Sequence, residues 1–325
     1  MGFNTSSQKL ITSPQIMYTK KSILLLLLIS LSIPIFSQER ILYVDGFKSI
    51  LGDEKKEIKL LTFAKENNFS SLILYELDKI DKKLFHLADN TKNSVLVNFM
   101  VKARKFYGIK EIAASGESGG FFIDEIAPYN SGRTDPNERF DVYNLEYEYW
   151  KYDSSNLGGY YCENYLRKNE IPCNREGSYN YYKESLSIMK LLAEESDTKI
   201  KTEAYLGNFK SREINKISKH TDRILISGYA NTPENSFTVV KKLLKLIANC
   251  ECKPEVSVIF SSEVEYMKGY LNYHSLDVIE DKFIKEMKRN NLYNKVNLVG
   301  FTYYNYSYLE DAVENETFRR TGIRN

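Results

Sequence analysis

The 325-residue chain balances 45 Lys and Arg against 43 Asp and Glu, a net charge of +2. Lys and Glu are interspersed with no sustained basic block, which argues against a nucleic-acid partner. The 25 Tyr stand out against one Trp and three His; on composition alone so many Tyr read as packing before they read as a sugar-facing surface.

The N-terminus reads as an export signal. Lys20 and Lys21 precede the apolar run Ile23-Leu24-Leu25-Leu26-Leu27-Leu28-Ile29, and Ile35-Phe36-Ser37 fits a cleavage site before Gln38. The run is too short and wrongly flanked for a membrane span, and a retained anchor is the alternative. The polar segment before Met17 makes Met17 a candidate start, and the lack of Cys near the cleavage site argues against a lipid anchor. Residues 1–37 are thus expected to be the signal and its upstream segment, and 38–325 a single domain. Periplasmic, cell-surface and extracellular fates stay open. Export implies an oxidising compartment, so the four Cys point to disulfides. Cys162 with Cys173 is the favoured pair. Cys250 and Cys252 are a candidate pair in a small strained ring. Zinc is disfavoured, since no His lies near either Cys pair.

Beyond the signal, short apolar runs alternate with helical patterns. The predicted strands are Ile41–Asp45, Ser71–Tyr75, Ile109–Ser115, Asp141–Glu148, Ile200–Leu206, Ile224–Tyr229, Val256–Ser261 and Leu298–Tyr303. Predicted helices include Glu54–Asn67 (Ile58, Leu61, Ala64 inward), Lys92–Tyr107 (Val95, Phe99, Val101) and Tyr179–Glu195 (Leu186, Met189, Leu192, Ala193). Ser236–Asn249 and Ser275–Asn290 follow, the latter with Ser275 as a hydroxyl N-cap. This order predicts an α/β fold, a closed (β/α)8 barrel of the TIM type. The competing open doubly wound sheet lacks its Gly-rich fingerprint, for the first strand ends Tyr43-Val44-Asp45-Gly46. Long loops from Ser118 to about Arg139 and from Lys151 to about Ser178 follow strand C-termini, where barrel sites are built.

The fourth strand carries the chemistry. In Phe140-Asp141-Val142-Tyr143-Asn144-Leu145-Glu146-Tyr147-Glu148-Tyr149-Trp150, Asn144, Glu146 and Glu148 share one face of an extended chain, and the Tyr and Leu residues share the other. A half-exposed antiparallel strand would read alike. Inside a barrel, the same row enters the mouth or the packed core. Two acids beside a Trp can supply a proton donor, a polarising carboxylate and a stacking ring. An ionised Glu146 is expected to raise the pKa of Glu148, with Asn144 donating a hydrogen bond to Glu146.

The spacing Asp141, Asn144, Glu146, Glu148 resembles the D-x-x-D-x-D-x-E strand of family 18 glycosidases, which include chitinases and endo-β-N-acetylglucosaminidases. The outer positions match; Asn144 and Glu146 replace two Asp. Tyr229 falls where that family has a substrate-binding Tyr, followed here by Ala230. Ser115-Gly116-Glu117-Ser118-Gly119-Gly120 is Ser/Gly-rich but off the family's register, and Gly300-Phe301-Thr302-Tyr303-Tyr304 has Tyr where the family has Trp. The resemblance implies substrate-assisted retaining hydrolysis of β-linked N-acetylglucosamine, with a glycan as partner and neither cofactor nor metal. It implies that Glu148 is the acid/base, that Glu146 is the polariser, and that Asn144 and Tyr229 assist. Asp141, Trp150, Tyr303, Tyr304, Glu117 and Glu263 are the expected binding residues. The substitutions leave open a sugar-binding barrel without catalysis. Glu148 with Glu263 is a further alternative, a covalent retaining pair. Asp45, Glu76 and Glu203 are weaker acid candidates, and surface or ion-pair roles are the competing reading for Glu117, Glu203 and Glu263.

Overall fold

Eight parallel strands close into a barrel in chain order, β1 pairing with β8. The structure is a computed structural model that describes residues 1, 2 and 38–322; the expected signal and its cleavage site lie outside the described residues. The strands are β1 (Glu39–Val44), β2 (Ser71–Leu74), β3 (Glu111–Gly116), β4 (Val142–Leu145), β5 (Lys201–Leu206), β6 (Arg223–Ser227), β7 (Glu255–Ser261) and β8 (Asn297–Tyr304). Between and after them run α1 (Glu54–Glu66), α2 (Ser94–Tyr107), α3 (119–131, with a π turn at Phe122–Ile126), α4 (Arg175–Glu195), α5 (Ser211–Ile217), α6 (Pro233–Ala248), α7 (Leu276–Arg289) and α8 (Tyr306–Thr321). The fold is therefore the predicted (β/α)8 barrel. Among the described residues, no helix is long and apolar enough to cross a membrane.

The two faces of each strand divide the core. Outward residues such as Leu42, Val44, Leu72, Leu145 and Phe260 pack with the helices in the main apolar cluster. Inward residues Ile41, Tyr43, Ile73, Ala113, Val142, Tyr205, Leu225 and Ile259 form a smaller cluster inside the barrel. Asp53, Asn174, Thr232 and Asn305 cap α1, α4, α6 and α8 through side-chain oxygens, each satisfying a backbone N–H that a helix start leaves unpaired. Ser275 occupies the N-cap of α7 but makes no side-chain cap bond, unlike its prediction. The inward stripes also differ in detail. Ile58 and Val95 are exposed, while Leu60, Phe63, Leu96 and Met100 turn to the core.

The barrel base is charged rather than apolar. Arg223, almost fully buried, pairs with Glu203 at 2.5 Å, Glu111 at 2.9 Å and Glu39 at 3.4 Å. Lys201 adds Glu111 at 2.9 Å and Glu255 at 3.2 Å. Such a cluster is tolerable only because each buried charge meets partners. Glu203 is thus an interior ion-pair residue, not a surface one.

The two long loops fold onto the C-terminal rim. Cys162 and Cys173 form the predicted disulfide, 11 residues apart, within the loop after β4. Cys250 and Cys252 do not pair: Cys250 is buried against Ser218, with Sγ and Oγ 2.9 Å apart, and Cys252 is exposed.

Candidate functional site

β4 ends at Leu145, so Glu146 and Glu148 stand just past the strand, at the C-terminal mouth of the barrel. The extended alternation persists beyond the strand. The Glu146 N–H still donates to Gly116 O at 2.9 Å, while Tyr147 and Tyr149 turn outward and are fully buried. Tyr147 lies 4.0 Å from Tyr161 between ring centroids, and Tyr149 lies 4.9 Å from Tyr182. Ser178 donates to the Tyr147 hydroxyl at 3.1 Å, and the Tyr149 hydroxyl donates to Glu213 at 3.2 Å. With the tyrosines anchored on the helix side, both glutamates face the mouth.

The electrostatics of the pair run opposite to the sequence expectation. Burial pushes the Glu146 carboxyl up to about 8, the neighbouring charges of Glu148 and Glu117 add to the rise, and a hydrogen bond from Ser115 opposes it. That bond, Ser115 Oγ to Glu146 Oε2, is 3.3 Å long. Glu146 therefore keeps its proton at neutral pH. Glu148 is the supported carboxylate: Tyr205 donates to its Oε1 at 3.3 Å and Lys151 pairs with its Oε2. The backbone N–H of Glu148 donates to the Tyr161 hydroxyl at 3.0 Å.

Asn144 does not serve Glu146 as expected. It pairs in register with Glu203 of β5, and its Nδ2 donates to Glu203 Oε1 at 2.7 Å. The physical reason is depth: Asn144 sits one pleat below Glu146, level with the charged base. Its Oδ1 and the Tyr43 hydroxyl are both buried without a hydrogen-bond partner, and the Asn144 side chain acts on the Tyr43 hydroxyl.

Aromatic rings line the rest of the mouth. Tyr229 stacks near Tyr304 at 6.0 Å and packs on Tyr266 at 5.1 Å; Tyr43 meets Tyr304 edge-on at 5.5 Å. Trp150 lies 5.4 Å from Tyr205, half-buried against the inner cluster. Gly207 makes this possible, since a Cβ there would stand 2.7 Å from Trp150 Nε1. Tyr149 meets Trp150 edge-on at 5.3 Å between ring centroids but belongs to the helix-side core. Ionisation of Glu146 would add to the rise of the Tyr43, Tyr75, Tyr205, Tyr229 and Tyr304 hydroxyls, so these residues surround one acid.

Other candidates lie elsewhere. Asp141 is at the opposite end of β4, where its Oδ2 accepts from Arg104 at 2.7 Å and from the Ile112 N–H at 2.8 Å; it ties β4 to β3 and α2, far from the mouth. Tyr303 pairs with outward-facing Leu42, is fully buried, and donates to Glu280 at 2.9 Å, so only its neighbour Tyr304 reaches the mouth. Glu117 lies on the rim after β3, accepting from Tyr160 at 2.8 Å and Tyr165 at 2.5 Å. Glu263, after β7, accepts from Ser261 at 3.0 Å, and its charge acts on Tyr304. Asp45 binds the N–H and hydroxyl of Ser307 at 3.0 and 2.6 Å, and Glu76 pairs with Lys79. Sequence reasoning missed Tyr43, Tyr75, Ser115, Tyr205, Tyr266 and Lys151. A signal was present for several: an inward Tyr closes or follows strands β1, β2, β5, β6 and β8.

Among the described residues, Asp81, His86 and Glu125 bring donor atoms within 4.8 Å of one another and could hold a cation. They sit on the rim rather than beside the acid pair. Asp81 Oδ1 already accepts the Leu87 N–H at 2.9 Å.

No protein-family model and no curated protein matches the chain. Solved structures that resemble it include a GH18 chitinase from Pseudoalteromonas aurantia, with TM-score 0.47, 11% identity and coverage of 85% of this chain and 99% of that one. A putative lyase/mutase from Burkholderia cenocepacia J2315 gives TM-score 0.45 and 10% identity over 88% of this chain and 85% of that one. A 2,3-dimethylmalate lyase gives 0.42 and 11% over 88% and 83%. These likenesses span unrelated chemistries and say nothing about the reaction.

Proposed function

We propose that the protein is an exported glycoside hydrolase that cleaves β-linked N-acetylglucosamine by substrate-assisted, retaining hydrolysis. The observation that carries this reading is the acid pair itself at the barrel mouth: Glu146, bonded by Ser115 and pushed up to about 8 by burial, beside Glu148, held by Tyr205 and Lys151. The disulfide is consistent with export.

Environment exchanges the roles that the sequence pattern implied. The acetamido carbonyl oxygen of the bound sugar attacks the anomeric carbon, the glycosidic C–O bond breaks, and Glu146 gives its proton to the departing oxygen. The Glu148 carboxylate accepts the acetamido N–H and offsets the positive charge that develops on the cyclised group. Glu146, now a carboxylate, takes a proton from water as the water oxygen bonds to the anomeric carbon. The acetamido group reopens and configuration is retained. Trp150, Tyr229 and Tyr304 offer ring faces to the sugar.

Hydrolysis of N-acetylglucosamine oligomers and high-mannose N-glycans, with calorimetric binding in parallel, tests the reading. Glu146→Gln and Glu148→Gln should each abolish turnover while oligomers still bind, and a thiazoline analogue should inhibit the wild type. Full activity in either variant refutes the assigned roles. A second reading, a glycan-binding barrel without catalysis, draws on Lys151 occupying Glu148 and on Asn144 being committed to Glu203. Binding without turnover by the wild type would select it. Covalent trapping by a 2-fluoro sugar would instead select Glu148 with Glu263 as a retaining pair.

A further inference from the structure

Beside the acid pair the mouth continues into a cleft of about 500 Å³, within the roughly 300–1,000 Å³ typical of small-ligand pockets. Ser115, whose hydroxyl bonds Glu146, is part of its lining, so the cleft and the acid pair share a wall. Tyr75, Phe121, Tyr160 and Tyr165 supply aromatic surface. Tyr160 and Tyr165 come from the loop stapled by the Cys162–Cys173 disulfide, and their hydroxyls both donate to Glu117 Oε2.

The charge of the cleft is one-sided. Its lysines are matched within it, Lys79 to Glu76 and Lys82 to Asp78. That leaves Glu117 and Asp124 of the lining in excess, with Asp81 and Glu125 sharing the neighbouring His86, whose Nδ1 lies 3.5 Å from Asp81. Burial raises the Glu117 carboxyl, and the Coulombic influence of Asp78 and Glu148 adds to the rise; a cation in the cleft would relieve that repulsion. A bare metal ion makes poor use of such a space, because Tyr75, Phe121, Tyr160 and Tyr165 set ring faces beside the carboxylates and Glu117 is already engaged by two hydroxyls. A sugar ring carrying an ammonium group uses all of it: C–H faces against Tyr, hydroxyls to the rim, and charge to the excess carboxylates.

We propose that this cleft binds a de-N-acetylated amino sugar, the cationic neighbour of the acetylated residue that is cleaved. The protein would then prefer partly deacetylated glucosamine polymers to fully acetylated ones. This deepens the hydrolase reading and depends on it only for which residue of the glycan occupies the acid pair.

Calorimetry with the glucosamine tetramer and the N-acetylglucosamine tetramer tests it, run at about pH 6.5 so that amines near the about 7.7 of an α-amino group are charged. The glucosamine tetramer should bind about tenfold more tightly, equivalent to about 1.4 kcal/mol, and lose that advantage in high salt. Asp124→Asn, at an exposed position, and Glu125→Gln should each weaken the glucosamine tetramer several-fold while leaving the acetylated tetramer unchanged. Equal affinities, a salt-independent preference, or unaltered binding by both variants would overturn the proposal. Turnover of acetylated oligomers is read separately. Turnover without the amino preference removes the cleft proposal alone; the preference without turnover supports the cleft and counts against the hydrolase reading.

Discussion

The protonated state of Glu146 can be tested through stability alone, without knowing the substrate. Its carboxyl lies near 4.5 when unperturbed and is pushed up to about 8 in the fold by burial and by the charges of Glu148 and Glu117. The folded state therefore binds this proton more tightly than the unfolded chain does. The stabilisation is fully present below about pH 4.5 and is lost as pH rises through about 8. At about 1.4 kcal/mol per pH unit, the full interval amounts to on the order of 5 kcal/mol. Water at the open mouth screens part of it, so a fall of about 2–3 kcal/mol is expected. Glu146→Gln replaces the protonated acid by a neutral group of the same shape and removes the titration. Urea unfolding of both proteins between about pH 5 and 9 isolates the effect, because every other group titrates in both. The wild type should lose stability relative to Glu146→Gln as pH rises. Parallel curves would refute the reasoning and with it the assignment of the proton to Glu146. If that proton is also the catalytic one, turnover should decline above about pH 8.

Other consequences follow from the same geometry. Arg223→Met leaves Glu203 buried without its cation and should destabilise the barrel by about 3–5 kcal/mol in urea unfolding. Cys162→Ser with Cys173→Ser should cost about 2–3 kcal/mol, read as a lower Tm, and should raise KM, because Tyr160 and Tyr165 line the rim from that loop. Tyr303→Phe removes the hydrogen bond to Glu280 and should cost about 1–2 kcal/mol of stability with kcat unchanged, whereas Tyr304→Ala should weaken glycan binding. Gly207→Ala should displace Trp150, and because the chain has a single Trp, a shift in intrinsic fluorescence reports it directly.

The barrel was legible because its signals are local. Strands of alternating or continuous apolar residues, helices of 3.6 periodicity and their strict succession leave few architectures. The face of Glu146 and Glu148 was legible for the same reason: alternation is a property of the extended backbone, and Tyr143, Leu145, Tyr147 and Tyr149 were apolar enough to declare the other side. The Cys162–Cys173 pair was reachable because both partners sit in one loop.

What the sequence by itself determined, then, was the order of elements and the row of polar residues on β4. The tertiary structure decided which acid holds the proton, because that depends on Glu117, Ser115, Tyr205 and Lys151, which come from other strands and loops. It decided that Asn144 serves Glu203 rather than Glu146, since inter-strand register sets the depth at which each side chain meets its neighbours. It also separated Tyr303 from Tyr304. Parallel pairing of Tyr303 with outward-facing Leu42 sends one ring to the helices and the next into the mouth, and a shift of one residue in that register would exchange them.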